Sequence, residues 1–455
     1  MIADLQNQLR ALSTRQRFSK LAAAAPPGTP LSIAIDLPDT PDRAWLQCWQ
    51  PGNQPFWFHA RPGEGRILLG VGQAFLLDSE GPQRFATLDH AWRAVCHAWR
   101  HEADTPVRQA FCGFAFNPER NNAWPNARLG IPTLLIEQQE NTLRAIITLA
   151  AGNIEVGLNS AIALLTPAQP PYPLLPQRML RIRDSAEEAR WLARTRHALS
   201  DIESGLLAKL VLCREIRLRH DQPIAPMRLL ETLCAEQRDA TIYAHGTGHE
   251  TFLGATPECL LRFSQQQLET MALAGTAWQD SPPLASDKNR HEQSLVTEAI
   301  LGALAPLVTG LELSRPEAAP AGMLTHWRTR ISGQPRPGVR CLTVLDALHP
   351  TPAVGGFPSQ PAQRWLQRHE PARTAWYSGG FGLLGSDGSG DFSVALRSAL
   401  LRGEQAYLQA GAGIVAGSIP AQELAETNAK FGTLLHALGL PTETRREQHA
   451  VEESA

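Results

Sequence analysis

The sequence lacks the features that would place it in a membrane or on nucleic acid. No apolar run approaches the ~20 residues that a membrane-spanning helix needs, so no membrane span is expected. Residues 1–20 are polar and have no apolar centre of the kind found in signal peptides. The net charge is only −2, with an isoelectric point near 6.7, which excludes a global positive field that would recruit nucleic acid.

Cysteine gives no sign of a covalent or metal framework. The chain has seven cysteines, an odd number, and no CxxC motif. This pattern argues against both a disulfide scaffold and a structural zinc site. It predicts a reducing, cytoplasmic compartment.

Lysine is the scarcest charged residue. Of 42 basic residues only four are lysines, at positions 20, 209, 288 and 430. A bias toward arginine codons would explain the shortage. Lysine can nevertheless lose its proton when buried and arginine cannot, so a lysine inside an apolar strand is a candidate for acid–base chemistry.

The chain is long and rich in apolar residues. Its 455 residues, 43% of them apolar, suffice for one large core or for two to three domains. A proline-rich connector at 166–177 divides an N-terminal part, 1–177, from a second region, 178–440, and residues 441–455 are predicted to be a disordered tail. In the first part, residues 1–20 predict one amphipathic helix, and about Leu88–His101 predicts another among short strands.

Lys209 lies at the start of an apolar strand, Ala208–Leu218. A capping box at Ser185–Glu188 opens the helix before this strand, and Gly205 ends it. The first half of the strand is apolar throughout, which predicts burial on both faces. Lys209 is therefore either a functional amine or a strand-end lysine whose tip reaches water.

Two glutamates lie within apolar patterns. Glu258 follows the run Gly254–Pro257, where burial would keep its carboxyl protonated; it could equally cap a turn. Glu292 is in line with the inner face of a helix from Ser286 to about Ala305, whereas Glu298 is on the wet face. A buried acid needs a metal ion or another cation as partner, but an acid near a helix start can also remain in solvent.

A rigid loop and an arginine follow. His349–Pro358 is too rich in proline for regular structure. Arg397 occurs in an apolar run, Asp391–Leu400, which predicts a single strand. Its guanidinium suits a bidentate contact to a ligand carboxylate, or an internal salt bridge.

The stretch from Ala410 to Leu438 joins two features. Its first half predicts a loop of small residues whose backbone N–H groups can approach an anion, and its second half predicts a helix capped by Ser418, with Pro420 in its first turn. Glu423, Glu426 and Lys430 follow one flank of that helix. Such a unit could hold a metal ion and an anionic substrate together, or be an ordinary surface turn and helix.

Five of these runs, in this order, resemble the chorismate-utilising enzymes: Lys209–Arg214, Gly254–Glu258, Leu273–Thr276, His349–Gly356 and Gly411–Val415. The similarity covers roughly Asp184–Leu438, and the combination is hard to obtain by chance. The runs His349–Gly356 and Glu370–Tyr377 are most similar to the isochorismate synthases of menaquinone and siderophore–salicylate biosynthesis.

The resemblance implies a fold and a set of roles. It implies an α/β (α+β) fold with two packed antiparallel sheets surrounded by helices, in which the connector is a surface crossing. It implies a general base, Lys209, a general acid, Glu258, and Mg²⁺ ligands Glu292 and Glu426, to which we add Glu423. The expected chorismate-binding residues are Ala274, Gly275, Thr276, His349, Tyr377, Arg397, Gly411, Ala412, Gly413 and Lys430.

The chemistry of isochorismate formation suits these residue types. Water adds at one ring carbon and the hydroxyl leaves another, so a base must take a proton from water and an acid must protonate the leaving group. Neutral lysine and protonated glutamate can do this if their pKa values move toward each other. Mg²⁺ can hold one of the two substrate carboxylates. By the resemblance, the enzyme is expected to be a monomer or homodimer.

Other activities remain open. A salicylate synthase, an anthranilate synthase component I or an inactive chorismate-binding paralogue would share most of these motifs. Aminodeoxychorismate synthases commonly have a nucleophilic lysine where this chain has Ala274, which argues against them. The segment between Thr276 and Lys288 looks shorter than in typical members, and Ala277 stands where many have arginine.

Overall fold

The computed structural model describes residues 1–38, 45–46, 49, 52–106, 108–119, 124–165, 179–182, 184–278, 284 and 286–441. The proline-rich connector, the predicted boundary at residue 177 and residues 442–455 of the predicted tail lie outside these ranges. So does most of the shortened 277–287 segment, of which residues 279–283 and 285 are not described.

Helices in the described ranges flank the sheets and follow apolar stripes in the sequence. They are α1 Ile2–Arg10, α2 Leu12–Ala22, α3 Arg84–Ala98, α4 Ile154–Leu164, α5 Ser185–Glu203, α6 Pro226–Glu236, α7 Asp287–Leu304, α8 Cys341–Leu348, α9 Ser359–His369 and α10 Pro420–Ala437.

Strands account for most of the remaining regular structure. They are β1 Pro30–Leu37, β2 Phe56–Arg61, β3 Arg66–Val71, β4 Phe75–Ser79, β5 Arg100–His101, β6 Gln109–Phe114, β7 Ala127–Ile131, β8 Leu134–Gln139, β9 Thr142–Ala150, β10 Leu180–Ile182, β11 Lys209–Arg219, β12 Thr241–Gly246, β13 Thr251–Thr256, β14 Cys259–Phe263, β15 Leu268–Trp278, β16 Val308–Leu313, β17 Glu317–Ala321, β18 Leu324–Pro335, β19 Gly356–Phe357, β20 Gly380–Gly385, β21 Gly390–Val394, β22 Ser398–Arg402 and β23 Gln405–Val415.

These strands form two sheets. The larger has the order β10-β11-β23-β22-β13-β12-β2-β3-β8-β9-β1-β5, with β19 beside β11; the smaller has the order β16-β18-β15-β14-β21-β20-β6-β7-β4, with β17 beside β18. Pairing is antiparallel except for the short parallel pair β1–β5. Both sheets draw strands from both sides of the connector. The predicted α/β fold with two antiparallel sheets is confirmed.

Aromatic side chains fill the space between the sheets. Trp57 of β2 and Tyr243 of β12 come from the larger sheet, and Phe381 of β20 comes from the smaller. The ring centroids of Tyr243 and Phe381 are 5.2 Å apart, and those of Trp57 and Trp376 are 6.0 Å apart. All four residues are at most 2% exposed, so this layer joins the sheets into one core.

Two predicted helices differ from those observed. Residues 1–20 form two helices because Ala11, with ψ of 143°, is extended and separates α1 from α2. The helix predicted at Leu88–His101 lies earlier, at Arg84–Ala98, because Arg100 and His101 pair with β1 as a strand.

The strand predicted at Asp391–Leu400 is wrong in a way that matters for the site. The chain leaves the smaller sheet after β21 and enters the larger sheet at β22. Arg397 lies in the crossing with φ of +51°, a left-handed conformation that an L residue adopts only under constraint. The apolar run reflects two buried strands in succession.

The predicted loop at Ala410–Gly413 is also wrong, because these residues belong to β23 in the interior of the larger sheet. Ser418 does not cap α10: its hydroxyl accepts a hydrogen bond from Val415 N at 3.2 Å, and Ile419 occupies the cap position. Pro420 begins α10 as predicted. At α5 the cap is Asp184, which accepts from Glu187 N, and not Ser185.

In the described residues no helix combines the length and the apolar character that crossing a membrane requires.

Candidate active site

A cavity opens where β11 and β23 face β15, β18, α7 and α10, with about 740 Å³ of empty space when its open mouth is included. Four loops complete its wall: those after β13, after α8, between α9 and β20, and between β21 and β22. Most of the predicted site residues line this one cavity: Lys209, Glu258, Ala274, Thr276, Glu292, Tyr377, Arg397, Gly411, Gly413, Glu426 and Lys430. Residues far apart in sequence thus meet at one concave surface.

Lys209 is a buried amine. Only 1% of the residue is exposed, and Nζ lies 2.9 Å from Glu292 Oε1. The alternative that its tip reaches water is therefore wrong. Glu292 is itself only 7% exposed, so the helix-start acid in solvent is wrong as well.

Two glycines of β23, Gly411 and Gly413, line the cavity, and Gly413 fits closely against this pair. In β11, Val211 N and Cys213 N donate away from β23, to Gly355 O and to the Glu370 carboxylate. Val211 lies opposite Gly413, and Cys213 lies opposite Gly411. In an antiparallel pair, two residues directly opposite each other either both bond across the pair or both point away from it. Gly411 and Gly413 therefore direct their backbone N–H and C=O groups away from β11. A Cβ atom on Gly413 would collide with Glu292 Oε1, so the absent side chain makes room for the ion pair.

Three of the four lysines of the chain pair with the three glutamates predicted as metal ligands. Besides Lys209 and Glu292, Lys288 Nζ lies 2.5 Å from Glu423 Oε1, and Lys430 Nζ lies 2.5 Å from Glu426 Oε1. Lys430 Nζ also donates to Gly411 O at 2.7 Å. The charges of all three carboxylates act on Lys288, so the three pairs form one electrostatic group.

Glu258 is a buried carboxylic acid that lines the same cavity. It is 4% exposed, and burial raises the pKa of its carboxyl to about 7, although Lys209, Lys430 and Arg397 pull it down. A carboxyl with this pKa carries a proton for much of the time near neutral pH, as a general acid must.

The guanidinium group of Arg397 has no acidic partner among the described residues. It lines the cavity, and in the described part of the chain its side chain forms no ion pair. Burial lowers its pKa to about 10. The internal salt bridge considered from the sequence is not observed, and the uncompensated charge faces a space where a ligand carboxylate could enter.

His326 was missed by the sequence analysis. Its Nδ1 lies 3.0 Å from Thr276 Oγ1, which donates to Glu426 Oε1 at 3.3 Å. Burial holds the pKa of His326 well below its ordinary value. No local spacing marks this histidine; it faces the cavity only because β18 pairs with β15.

Four predicted site residues do not line the cavity. Gly275 lies at a bulge inside β15 with φ of +68°, and Ala412 belongs to the face of β23 opposite Gly411 and Gly413. His349 Nε2 lies 3.0 Å from Ser378 O, behind the wall. Glu423 is held by Lys288. Their predicted contacts with a ligand stay predictions.

The predicted magnesium site can be compared with these side chains. Across the described ranges, no three His, Cys, Asp or Glu side chains converge into a complete metal-binding group. Mg²⁺ does not require one, since it keeps several waters and takes one or two carboxylates together with substrate. Each of the three glutamates, of which Glu292 and Glu423 are buried and Glu426 is partly buried, has an ammonium group beside it, so the region already accommodates cations against carboxylate oxygens. The donor set fits a hard divalent ion.

Comparison with known proteins gives consistent matches. Residues 17–439 match the family model described as chorismate binding enzyme. The chain is 35% identical over 414 residues to the salicylate biosynthesis isochorismate synthase of Pseudomonas aeruginosa, covering 86% of each protein. It is 28% identical over 419 residues to the isochorismate synthase MenF of Bacillus subtilis, covering 85% of this chain and 88% of the relative.

Among solved structures, the menaquinone-specific isochorismate synthase MenF from Escherichia coli superposes with a TM-score of 0.75 at 26% identity. The match covers 94% of this chain and all of that one. The anthranilate synthase component I of Streptococcus pneumoniae, with a TM-score of 0.66 and 20% identity, shares the fold. The family match over nearly the whole length, on a fold that brings the predicted residues to one cavity, shows that this chain belongs to the chorismate-binding enzyme family.

Proposed function

We propose that the protein is an Mg²⁺-dependent isochorismate synthase. The observation that carries the proposal is the composition of the cavity: a buried lysine, a buried glutamic acid with a pKa of about 7, and an arginine without an acid partner all line it. Relatives that cover most of the chain are isochorismate synthases. Addition of water and loss of hydroxide need a base and an acid of this kind.

Substrate binding follows from charge. Chorismate has two carboxylates, and the cavity offers Arg397, Lys430 and the inward backbone N–H groups of Gly411 and Gly413. The Tyr377 hydroxyl reaches to 3.3 Å from where a Cβ of Gly411 would lie, so it borders the same space.

Proton transfer is assigned to two residues. Lys209 is the proposed acceptor of a proton from the attacking water, and Glu258 is the proposed donor of one to the departing hydroxyl group. Both line the cavity, and the charge of Lys209 acts on Glu258, so the two face one substrate. In each cycle one proton is taken from water and one is given to the leaving hydroxyl group. The overall reaction therefore exchanges one hydroxyl group for another and releases no net proton.

Glu292 and Glu426 would hold Mg²⁺, with Glu423 beside them. When bound, the ion would neutralise and orient a substrate carboxylate. The lysines now paired with these glutamates would then need new partners, and the carboxylates of chorismate supply negative charge for them. A cytoplasmic setting, as a monomer or homodimer, belongs to the same proposal; the six described cysteines are all free thiols.

The test is product identification. Purified protein is incubated with chorismate, with and without Mg²⁺, and the mixture is resolved by chromatography. Isochorismate formed only with the metal is the expected result. Unchanged chorismate would reject the proposed isochorismate synthase activity. Formation of salicylate with pyruvate, or of anthranilate when ammonia is supplied, would assign one of the other activities of the family.

A further inference from the structure

The strand that carries Lys209 has a gap along one edge. On that edge β19 pairs with Lys209 and Leu210, and β10 pairs with Arg217–Arg219. No described strand pairs with the residues between them on this side. Backbone N–H and C=O groups that are buried without partners are costly, so something else must satisfy this edge.

A buried ion pair closes the gap. Glu370 Oε1 accepts from Cys213 N at 2.6 Å, and Arg373 Nη2 donates to Val211 O at 2.9 Å. Arg373 Nε donates to Glu370 Oε2 at 2.9 Å, which holds the two side chains together. Both residues are about as buried as the core, at 5% and 6% exposure. The pair therefore does for this edge what a neighbouring strand would do.

The same guanidinium also reaches two loops that line the cavity. Arg373 Nη1 donates to Val354 O at 2.8 Å and to Ser378 Oγ at 2.5 Å. The guanidinium carbon Cζ of Arg373 lies 3.8 Å from the centre of the Phe116 ring, so this ring packs against one face of the guanidinium group. Val354 and Ser378 line the cavity, and Tyr377 lies beside Ser378. One side chain thus ties β11 to two loops of the wall.

These bonds occupy the guanidinium. All three nitrogens of Arg373 donate to protein acceptors, whereas Arg397 in the same cavity donates to none in the described chain. Arg373 is therefore a poor candidate for binding substrate, although it borders the cavity. Buried ion pairs are often no more stabilising than apolar side chains of the same size, so stability alone gives little reason for this one.

We propose that the Glu370–Arg373 pair is a positioning device for the reaction: it fixes the wall formed by Val354, Tyr377 and Ser378 relative to the strand that presents Lys209. This inference rests on the proposed function, because the reaction it serves is conversion of chorismate. Neither side chain exchanges a proton with substrate; both act through the residues they hold. A displacement of ~1 Å between substrate and base can cost ~100-fold in rate.

The test compares graded variants with a matched control. Arg373→Met removes every bond, Arg373→Lys keeps the charge but offers a single nitrogen, and Glu370→Gln keeps one acceptor oxygen. Arg61→Met is the control, because Arg61 is also buried and pairs with an acid, Asp391, but lies outside the cavity lining. For each protein we would measure the melting temperature, kcat and KM for chorismate, and hydrogen exchange of peptides spanning 208–216.

For Arg373→Met, kcat/KM is expected to fall ~100-fold and the 208–216 peptides to lose protection, with Arg373→Lys and Glu370→Gln between it and wild type. Arg61→Met is expected to lower the melting temperature with kcat/KM and exchange at 208–216 near wild type. Should Arg373→Met not fold, the two conservative variants decide.

Equal kinetic losses in Arg61→Met, or unchanged exchange at 208–216 in the Arg373 and Glu370 variants, would overturn the positioning role. A wild-type protein that leaves chorismate unchanged would reject the proposed function instead. The exchange data would then decide separately whether the pair couples β11 to the wall.

Discussion

Lys209 Nζ lies 2.9 Å from Glu292 Oε1, in a space that exists because residue 413 has no side chain. The proposed base is thus held by a proposed metal ligand. Strand β11 of the larger sheet supplies one partner, and helix α7, which packs on β15 and β18 of the smaller sheet, supplies the other, so the way the two sheets face each other sets the geometry of the site. The predictions below follow from this arrangement and from its neighbours.

Removing the Lys209 amine should abolish most of the activity. For Lys209→Ala we expect kcat to fall at least ~100-fold, the usual range for a lost base. Steady-state kinetics with chorismate and Mg²⁺ measure it. Lys20→Ala is the matched control, since Lys20 is the one lysine of the chain that is exposed and outside the three glutamate pairs. Near-normal kcat for Lys209→Ala at every pH would remove Lys209 from the role of base.

Glu258→Gln should remove the acid and with it one limb of the pH profile. In wild type, kcat/KM is expected to fall as pH rises through about 7, because the carboxyl must be protonated to donate and burial raises its pKa to that value. The variant is expected to lose at least ~100-fold in kcat and to show no such limb. A variant with the same alkaline limb as wild type would assign that limb to another group.

The same substitution has a consequence for stability. The folded carboxyl has a pKa of about 7 against an ordinary value of 4.5, so the folded state holds the proton more tightly than the unfolded state. The free energy of unfolding therefore falls as pH rises from about 4.5 to about 7, by at most about 3 kcal/mol. Denaturant unfolding at pH 5 and pH 8 should show this loss in wild type and a smaller loss in Glu258→Gln. Equal losses would mean that the pKa of Glu258 is not raised in the folded protein.

Glu426→Ala should act on the metal. We expect the Mg²⁺ concentration for half-maximal activity to rise at least ~10-fold. Mg²⁺ is usually bound by only one or two protein carboxylates, so the loss of one should weaken its binding strongly. Isothermal titration of the protein with Mg²⁺ gives a second readout that needs no turnover. Glu298→Ala is the control, since Glu298 is exposed on the helix that carries Glu292. An unchanged Mg²⁺ requirement for Glu426→Ala would exclude it as a ligand.

Gly413→Ala should damage the site with one methyl group. The added Cβ would collide with Glu292 Oε1 and crowd Lys209 Cε at 3.2 Å, so the ion pair has to move. We expect kcat/KM to fall at least ~10-fold at a modest cost in stability. Gly302→Ala, on the same helix as Glu292 with open space around it, should leave activity intact and raise stability by up to ~1 kcal/mol. Equal activities for the two variants would contradict the close fit.

Sequence reasoning found the acid, the base and the arginine because each interrupts an apolar pattern. Lys209, Glu258 and Arg397 are polar residues in buried runs, and burial without a partner is a signal that sequence can carry. The pattern misled at Arg397, where one apolar run is two strands in two sheets, and at Gly411–Gly413, where small residues belong to a strand and not to a loop.

What sequence could not supply is pairing across distance. That Lys288 meets Glu423, that His326 reaches Thr276 and that Glu370 caps Cys213 N all depend on how helices and loops pack against the sheets. No spacing along the chain encodes these contacts. His349 lies outside the cavity lining with its ring bonded to Ser378 O, so the contact with substrate that the family resemblance implies for it stays a prediction.

The central claim is that water, activated in this cavity, supplies the new hydroxyl group of the product. Running the reaction with chorismate and Mg²⁺ in water enriched in ¹⁸O, with mass spectrometry of the isolated product, tests this most directly. The account predicts isochorismate heavier by one ¹⁸O atom from the wild-type protein and no labelled product from Lys209→Ala. Chorismate returned unchanged, or isochorismate without the label, would contradict it.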